Sequence, residues 1–163
     1  MAGALMPYLF DGNNLIGLLS SFGQKDPRSR FELLGQLWLF QRATRQRLWI
    51  VFDGPPDPDL MAQCRRWPKF KVFFPEEGVK ADQLILKIIE QSPQPSTITL
   101  VTSDRELRVA GRLSGAKTMS SQDFGSRLKK VLKETRKQKE LRKPPFQTSA
   151  LETRLWLETL SKK

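Results

Sequence analysis

The sequence predicts a three-layer α/β domain built on a central, mainly parallel sheet, and three observations carry that prediction. Short apolar, β-rich runs alternate with segments of helical period along most of the chain, the pattern of βα units with crossovers. The clearest of these runs are almost free of charge, as strands covered on both faces are. Three of them lead into an aspartate, at Asp11, Asp53 and Asp104. In a parallel sheet with right-handed crossovers such strand ends share one edge, where open α/β folds place their ligands.

The first run, Met6 to Phe10, is uncharged and is followed by Asp11-Gly12. Gly12 frees the backbone to turn, and Asn13 and Asn14 are candidate caps for a short helix carrying Leu15, Ile16, Leu18 and Leu19. Ser20 to Arg30, with Gly23 and Asp26-Pro27, reads as a loop. Phe31, Leu34, Leu37, Trp38 and Phe40 or Gln41 then recur near the 3.6-residue period of a helix ending about Thr44. Leu48 to Phe52 is the clearest strand of the first half, followed by Asp53-Gly54 and the breaker Pro55-Pro56-Asp57-Pro58. A short helix from Asp59 to Arg65 is expected with Pro58 at its start, and Phe70 to Phe74 is the next strand.

After the loop Glu76-Glu77-Gly78, a helix carrying Val79, Asp82, Leu84, Ile85, Ile88 and Ile89 runs to about Gln91, with Asp82 near its N-terminus. Thr97 to Val101 forms a strand that leads through Thr102-Ser103 to Asp104. Arg105 to Leu113 is helical, and Lys117-Thr118-Met119 is a short edge strand. Ser120 or Ser121 caps a long helix that begins with Phe124, Leu128, Val131 and Leu132 and becomes almost wholly charged, ending before Pro144-Pro145. Leu151, Leu155, Trp156 and Leu160 mark an amphipathic tail helix. The organisation expected is a core over residues 1–126, with the basic helix and tail helix, residues 127–163, appended to the same domain.

Composition narrows the chemistry. The chain has 163 residues, enough for one domain with a sizeable core. No apolar run approaches the roughly 18 residues of a membrane span, and the N-terminus lacks the basic start and long apolar segment of a secretory signal, so a cytoplasmic protein with no membrane partner is expected. There is no histidine, which removes Ser-His and Cys-His nucleophilic systems and every His-containing metal site. The single cysteine, Cys64, has neither a disulfide partner nor a histidine to activate it. Catalysis by this chain would rest on carboxylates, lysines or a cation held by oxygen donors, a set that suits Mg²⁺ or Mn²⁺.

The net charge of +11 points to a polyanionic partner, nucleic acid before a membrane surface. That charge is concentrated: residues 127–143 hold nine Lys and Arg against two Glu. Lys129, Lys130, Lys133, Arg136 and Lys137 are therefore candidate RNA-backbone contacts, and Arg105, beside Asp104, is another; a solvated helix face is the plainer reading of the same run. Trp67, among Arg65, Arg66 and Lys69, is a candidate base-stacking residue, whereas tryptophans in general serve the core.

Three strand-end aspartates plus Asp82 at a helix start amount to a candidate shared acidic site, whose mutual repulsion a divalent cation would relieve. The segments Leu9-Phe10-Asp11-Gly12-Asn13-Asn14, Val51-Phe52-Asp53-Gly54, Ala81-Asp82-Gln83-Leu84-Ile85 and Val101-Thr102-Ser103-Asp104-Arg105-Glu106-Leu107 resemble, in order and spacing, the motifs of the NYN/PIN-like nuclease superfamily, in particular its YacP-like branch. The resemblance spans about Tyr8 to Lys133. It implies a PIN-like fold and metal-dependent endoribonuclease activity, with Asp11, Asp82 and Asp104 as the catalytic residues. Asn14 stands alongside them as a metal-site residue, and Asp53 stands where a further acid often does. RNA, structured or ribosome-bound, is the implied partner, and the oligomeric state stays open. The chain departs from the family pattern in flanking Asp82 with Lys80 and Gln83 where relatives often carry another acid. A non-catalytic RNA-binding or ribosome-associated module of the same fold is therefore the alternative. A phosphatase of the haloacid-dehalogenase type would need an aspartate where this chain has Asn13, and no Walker loop or Gly-x-Gly-x-x-Gly turn is present.

Overall fold

The structure, a computed structural model, describes residues 6–141. Five parallel strands form one sheet: β1 (Tyr8–Asp11), β2 (Leu48–Val51), β3 (Phe70–Phe73), β4 (Thr99–Val101) and β5 (Lys117–Met119), in the spatial order β3-β2-β1-β4-β5. Between them run α1 (Gly12–Leu19), α2 (Pro27–Thr44), α3 (Pro58–Cys64), α4 (Ala81–Gln91) and α5 (Arg105–Leu113), and α6 (Ser121–Leu141) follows β5. The expected α/β class is borne out, and every strand pairing is parallel.

Strand alternation divides the core into two layers. Tyr8, Phe10, Leu48, Ile50 and Phe70 face a layer completed by Leu15 and Ile16 of α1, Leu33, Leu37 and Phe40 of α2, Leu60 of α3, and Phe124 and Leu128 of α6. Leu9, Val51 and Leu100 face the opposite layer, with Ile85 and Ile89 of α4 and Leu107 of α5. Phe124 fastens the start of α6: its ring meets Phe10 edge-on at 4.7 Å, Phe40 at 5.1 Å and Tyr8 at 5.6 Å. Burying one such ring stabilises the fold by about 2–3 kcal/mol.

Several local expectations shift. α2 starts at Pro27, not at Phe31, because Asp26 accepts from the Arg28 N–H and Pro27 supplies a preset φ in the first turn. Its buried face is Leu33, Leu34, Leu37, Phe40 and Gln41, which leaves Phe31 at 37% exposure and Trp38 half-buried. β2 ends at Val51, so Phe52 lies past the ladder and Asp53 sits in the turn closed by Gly54 at φ +90°. Val79 precedes α4, whose buried face is Ala81, Ile85 and Ile89. Asn13 and Asn14 are inside the first turn of α1 and cap nothing; the residue in the N-cap position is Asp11.

The chain divides into two compact units after Leu132. The first contains the sheet and α1 to α5 with the opening turns of α6. The second begins at Lys133, and its described part, residues 133–141, continues α6. The tail helix expected around Leu151 to Leu160, with Trp156, lies outside the described residues. Among the described residues no helix is long and apolar enough to cross a membrane.

Candidate functional site

The strand order reverses direction at β1. The chain winds outward from β1 through β2 to β3, then crosses back to place β4 on the other side of β1. The carboxyl ends of β1 and β4 thus flank a topological switch point, where crossovers diverge to opposite faces and leave a crevice. Asp11 is the last residue of β1, and Thr102-Ser103-Asp104 follows the end of β4.

Close approach shapes this edge. α1 starts directly after Asp11, and a Cβ on Gly12 would lie 2.7 Å from Phe52 Cδ1 and 2.9 Å from the Val51 carbonyl oxygen. The residue after the aspartate is glycine because the first turn of α1 is pressed against the end of β2, and not because a left-handed turn is needed.

Hydrogen bonds from α1 fasten the neighbouring strand ends. The Asn13 side-chain carbonyl accepts from the Asp53 N–H at 3.0 Å, and the Arg30 guanidinium donates to the Asp53 carbonyl at 2.9 Å, so the turn after β2 is held from two sides. The Asn14 carbonyl accepts from the Ser103 N–H at 3.0 Å and from the Ser121 hydroxyl. Ser103 in turn donates through its hydroxyl to Gln122 at 2.6 Å and accepts from the Ser121 N–H at 3.2 Å. Asn13 and Asn14 therefore stitch β1, the turn after β2, the turn after β4 and the start of α6 into one edge. Both lone pairs of the Asn14 carbonyl oxygen are engaged in this network.

Asp11 carries an electrostatic signature of its position. Burial pushes its carboxyl above the ordinary value of 3.8; the Thr102 hydroxyl, which donates to Asp11 Oδ2 at 3.1 Å, and the nearby Asn14 N–H oppose that shift, and the charges of Asp104 and Asp53 reinforce it. Thr102 is completely buried, and its hydroxyl oxygen also accepts from the Asp104 N–H at 3.1 Å, so one side chain fixes the two aspartates relative to each other. Asp104 caps α5: its Oδ1 accepts from the Glu106 N–H at 3.0 Å and the Leu107 N–H at 3.3 Å, and no hydrogen bond reaches its Oδ2 among the described residues.

The four aspartates are not equally placed. Asp104 and Asp53 each lie within electrostatic reach of Asp11, whereas Asp82 is exposed in the first turn of α4 and is not among the charges acting on Asp11. Gln83 is spent on that helix start, where its side-chain carbonyl accepts from the Lys80 N–H at 3.1 Å. Among the described residues no three acidic or thiol side chains are gathered closely enough to enclose a metal ion. The donors at the switch point are nevertheless hard oxygens. Asp11 with the open oxygen of Asp104 suits Mg²⁺ or Mn²⁺, which bind through one or two carboxylates and keep several waters. Beside this edge a cleft of about 550 Å³ opens between the turn after β2 and the loop before α4, walled by Pro55, Pro56, Pro75 and Val79 and edged by Asp53 and Glu76.

The cations proposed for RNA sit apart from the carboxylates in chain position but are uniformly accessible: Arg105 in the first turn of α5, and Lys129, Lys130, Lys133, Arg136 and Lys137 along α6. Sequence reading missed the structural parts of Thr102, Ser103, Ser121 and Asn13. The signal was present in the polar run after β4, but hydroxyls beside a helix start read first as caps.

The family model of the YacP-like NYN domain matches residues 8–163. Two solved structures are similar in fold. One is the crystal structure of Rae1 (YacP) from Bacillus subtilis, 23% identical, with a TM-score of 0.64 over 95% of this chain and 90% of that one. The other is a tryptophan-to-leucine variant of the same protein, 22% identical, with a TM-score of 0.64 over 80% of this chain and 79% of that one. No curated protein matches the chain. With the family model spanning almost the whole sequence and the sheet order and acidic edge in place, the chain belongs to the YacP-like NYN domain family.

Proposed function

We propose that this protein is a divalent-metal-dependent endoribonuclease of the cytoplasm that cleaves RNA phosphodiester bonds at the carboxyl edge of the sheet. The observation that carries the reading is the Asp11 carboxyl, desolvated at the switch point, raised further by Asp104 and Asp53, and oriented by a buried threonine. A fold keeps like charges together at a cost, and such arrangements concentrate at functional sites. Asp11 and Asp104 would hold the cation, with Asp53 and the exposed Asp82 as further carboxylates of the proposed site. When bound, Mg²⁺ or Mn²⁺ supplies an activated water and stabilises the phosphoryl oxygens of an in-line displacement.

The chain's own residues do the positioning. Thr102 donates to Asp11 Oδ2 and so fixes the orientation of the carboxyl. Asn14 engages both its acceptor sites in holding the turn after β4, so its part is to set the position of Asp104 rather than to ligate. Arg105 and the cations of α6 bind the RNA backbone, which fixes register without reading bases.

The second reading is an RNA-binding module without catalysis, and the exposure of Asp82 beside Lys80 and Gln83 favours it. Incubating the full chain with single-stranded and structured RNAs in Mg²⁺, Mn²⁺ or EDTA separates the two. Cleavage that needs the cation and is lost in Asp11→Asn supports the nuclease. Binding with no cleavage under any of these conditions supports the module.

A further inference from the structure

At the opposite, amino edge of the sheet, the turns leading into β2 and β3 enclose a cleft of about 400 Å³ lined by Arg47, Trp49, Trp67, Lys69, Phe70 and Lys71. Three cations and three aromatic rings line it, and no acidic residue does. All three cations are exposed, and among the described residues the one ion pair is Arg28–Asp26, so none of them is neutralised by a carboxylate. Trp49 and Lys71 are register partners on β2 and β3, and their side chains therefore stand side by side on one face. Trp67 is held rigid from behind, stacked on Trp38 at 4.9 Å and 12° and met edge-on by Phe70 at 5.0 Å.

One lining residue, Lys69, has a left-handed backbone at φ 61°, and Arg45, the C-cap of α2, has another at φ 59° in the adjoining turn; these are the two non-glycine residues with positive φ among the described residues. Lys69 follows Pro68, in a position that glycine or asparagine fills at lower cost. Its carbonyl accepts from the Leu48 N–H at 2.9 Å, so the strained residue is locked to the start of β2. A long cationic side chain at such a position is the kind of outlier from which function is inferred.

We propose that this cleft is a second RNA-binding site, which takes a short stretch of single-stranded RNA by stacking a base on one of its tryptophans and pairing successive phosphates with Arg47, Lys69 and Lys71. Aromatic rings interleaved with unpaired cations are the chemistry of sequence-tolerant single-strand binding. The inference rests on RNA being the substrate, and it adds a site remote from the carboxylates that would hold the strand on the far edge of the sheet.

The test is RNA binding by the full chain in EDTA, over a range of salt, with a fluorescent single-stranded homopolymer. The variant Arg47→Gln/Lys69→Asn/Lys71→Gln removes the three charges, and asparagine tolerates the left-handed turn. The expected result is weaker binding, with a salt slope shallower by about two units for three lost phosphate contacts. A companion variant, Arg47→Lys/Lys71→Arg, keeps the charges and should bind as the parent does. Parent-like affinity and slope in the triple variant would overturn the inference while leaving the nuclease reading intact. A parent chain that binds no RNA would overturn both. An acidic peptide such as poly-Glu that binds the parent and is lost in the triple variant, with RNA binding unchanged, would overturn it in favour of a protein partner.

Discussion

The two edges of one sheet carry opposite chemistry. At the carboxyl edge Asn13, Asn14 and Thr102 fasten the segments that carry Asp11, Asp53 and Asp104, and burial, reinforced by the charges of Asp104 and Asp53, raises the Asp11 carboxyl. At the amino edge Arg47, Lys69 and Lys71 line a cleft with two tryptophans and have no carboxylate partner among the described residues. The strands are the same; the turns differ. Helix starts at the carboxyl edge turn backbone N–H groups towards the crevice and support anionic side chains, whereas the turns entering the strands leave long cations free in solvent. Under the proposed function the contrast separates two tasks: the acidic edge would hold a cation and the chemistry it brings, and the cationic surfaces would meet the charge of the polymer.

The separation breaks most visibly in catalysis. Asp11→Asn and Asp104→Asn are expected to lower RNA cleavage by at least about a hundredfold each, the scale for removing a preorganised electrostatic group. RNA affinity in EDTA should be unchanged or slightly higher. A variant that keeps full cleavage would remove its aspartate from the site.

The converse variant sharpens the cationic side. Changing Lys129, Lys130, Lys133, Arg136 and Lys137 of α6 to Gln should reduce the salt slope of RNA binding by roughly three to four units, about 0.7 per phosphate contact. Mn²⁺ binding should stay as in the parent. Parallel salt plots of equal height would leave α6 a solvated face.

Much of this was legible from the chain alone, for a physical reason. Strands buried on both faces must be apolar throughout, so Met6 to Phe10 and Leu48 to Phe52 stood out, and a carboxylate after such a run is conspicuous. What escaped notice depends on contacts between segments distant in sequence. Asn13 and Asn14 look like caps, yet they bond to Asp53, Ser103 and Ser121. Gly12 looks like a turn residue, yet what excludes a side chain there is Phe52, forty residues on. Asp104 is a helix cap and a candidate ligand at once, so neither reading of it excluded the other. The unequal placing of Asp82 could not be read from its spacing, because both exposed and inward first-turn positions fit the same pattern.

Gly12→Ala tests how tightly the acidic edge is built. With no room against Phe52 and Val51, it should cost about 1–3 kcal/mol in urea unfolding, the usual cost of overpacking. An unchanged midpoint would mean that the edge yields easily.

The smallest effect is on pH dependence. A carboxyl whose folded pKa is raised binds its proton more tightly folded than unfolded, so Asp11 favours the fold below its ordinary value of 3.8 and loses that contribution as pH rises through the folded value. At neutral pH its ionised form is a net cost. Asp11→Asn should therefore raise stability at neutral pH in metal-free buffer and flatten the profile in the mildly acidic range, measured by urea unfolding at stepped pH. Lower stability of Asp11→Asn across that range would place the dominant role of the carboxylate in its bond to Thr102.

The claim on which the rest depends is that the carboxyl edge exists to hold a cation, and calorimetric titration of the metal-free chain with Mn²⁺ addresses it without RNA. The account predicts saturable binding that weakens as pH falls, because the cation competes with the proton on a carboxyl of raised pKa, and that is lost in Asp11→Asn and Asp104→Asn but retained in the α6 glutamine variant. Binding of equal strength in the parent and Asp11→Asn, or none in the parent at neutral pH, would contradict it.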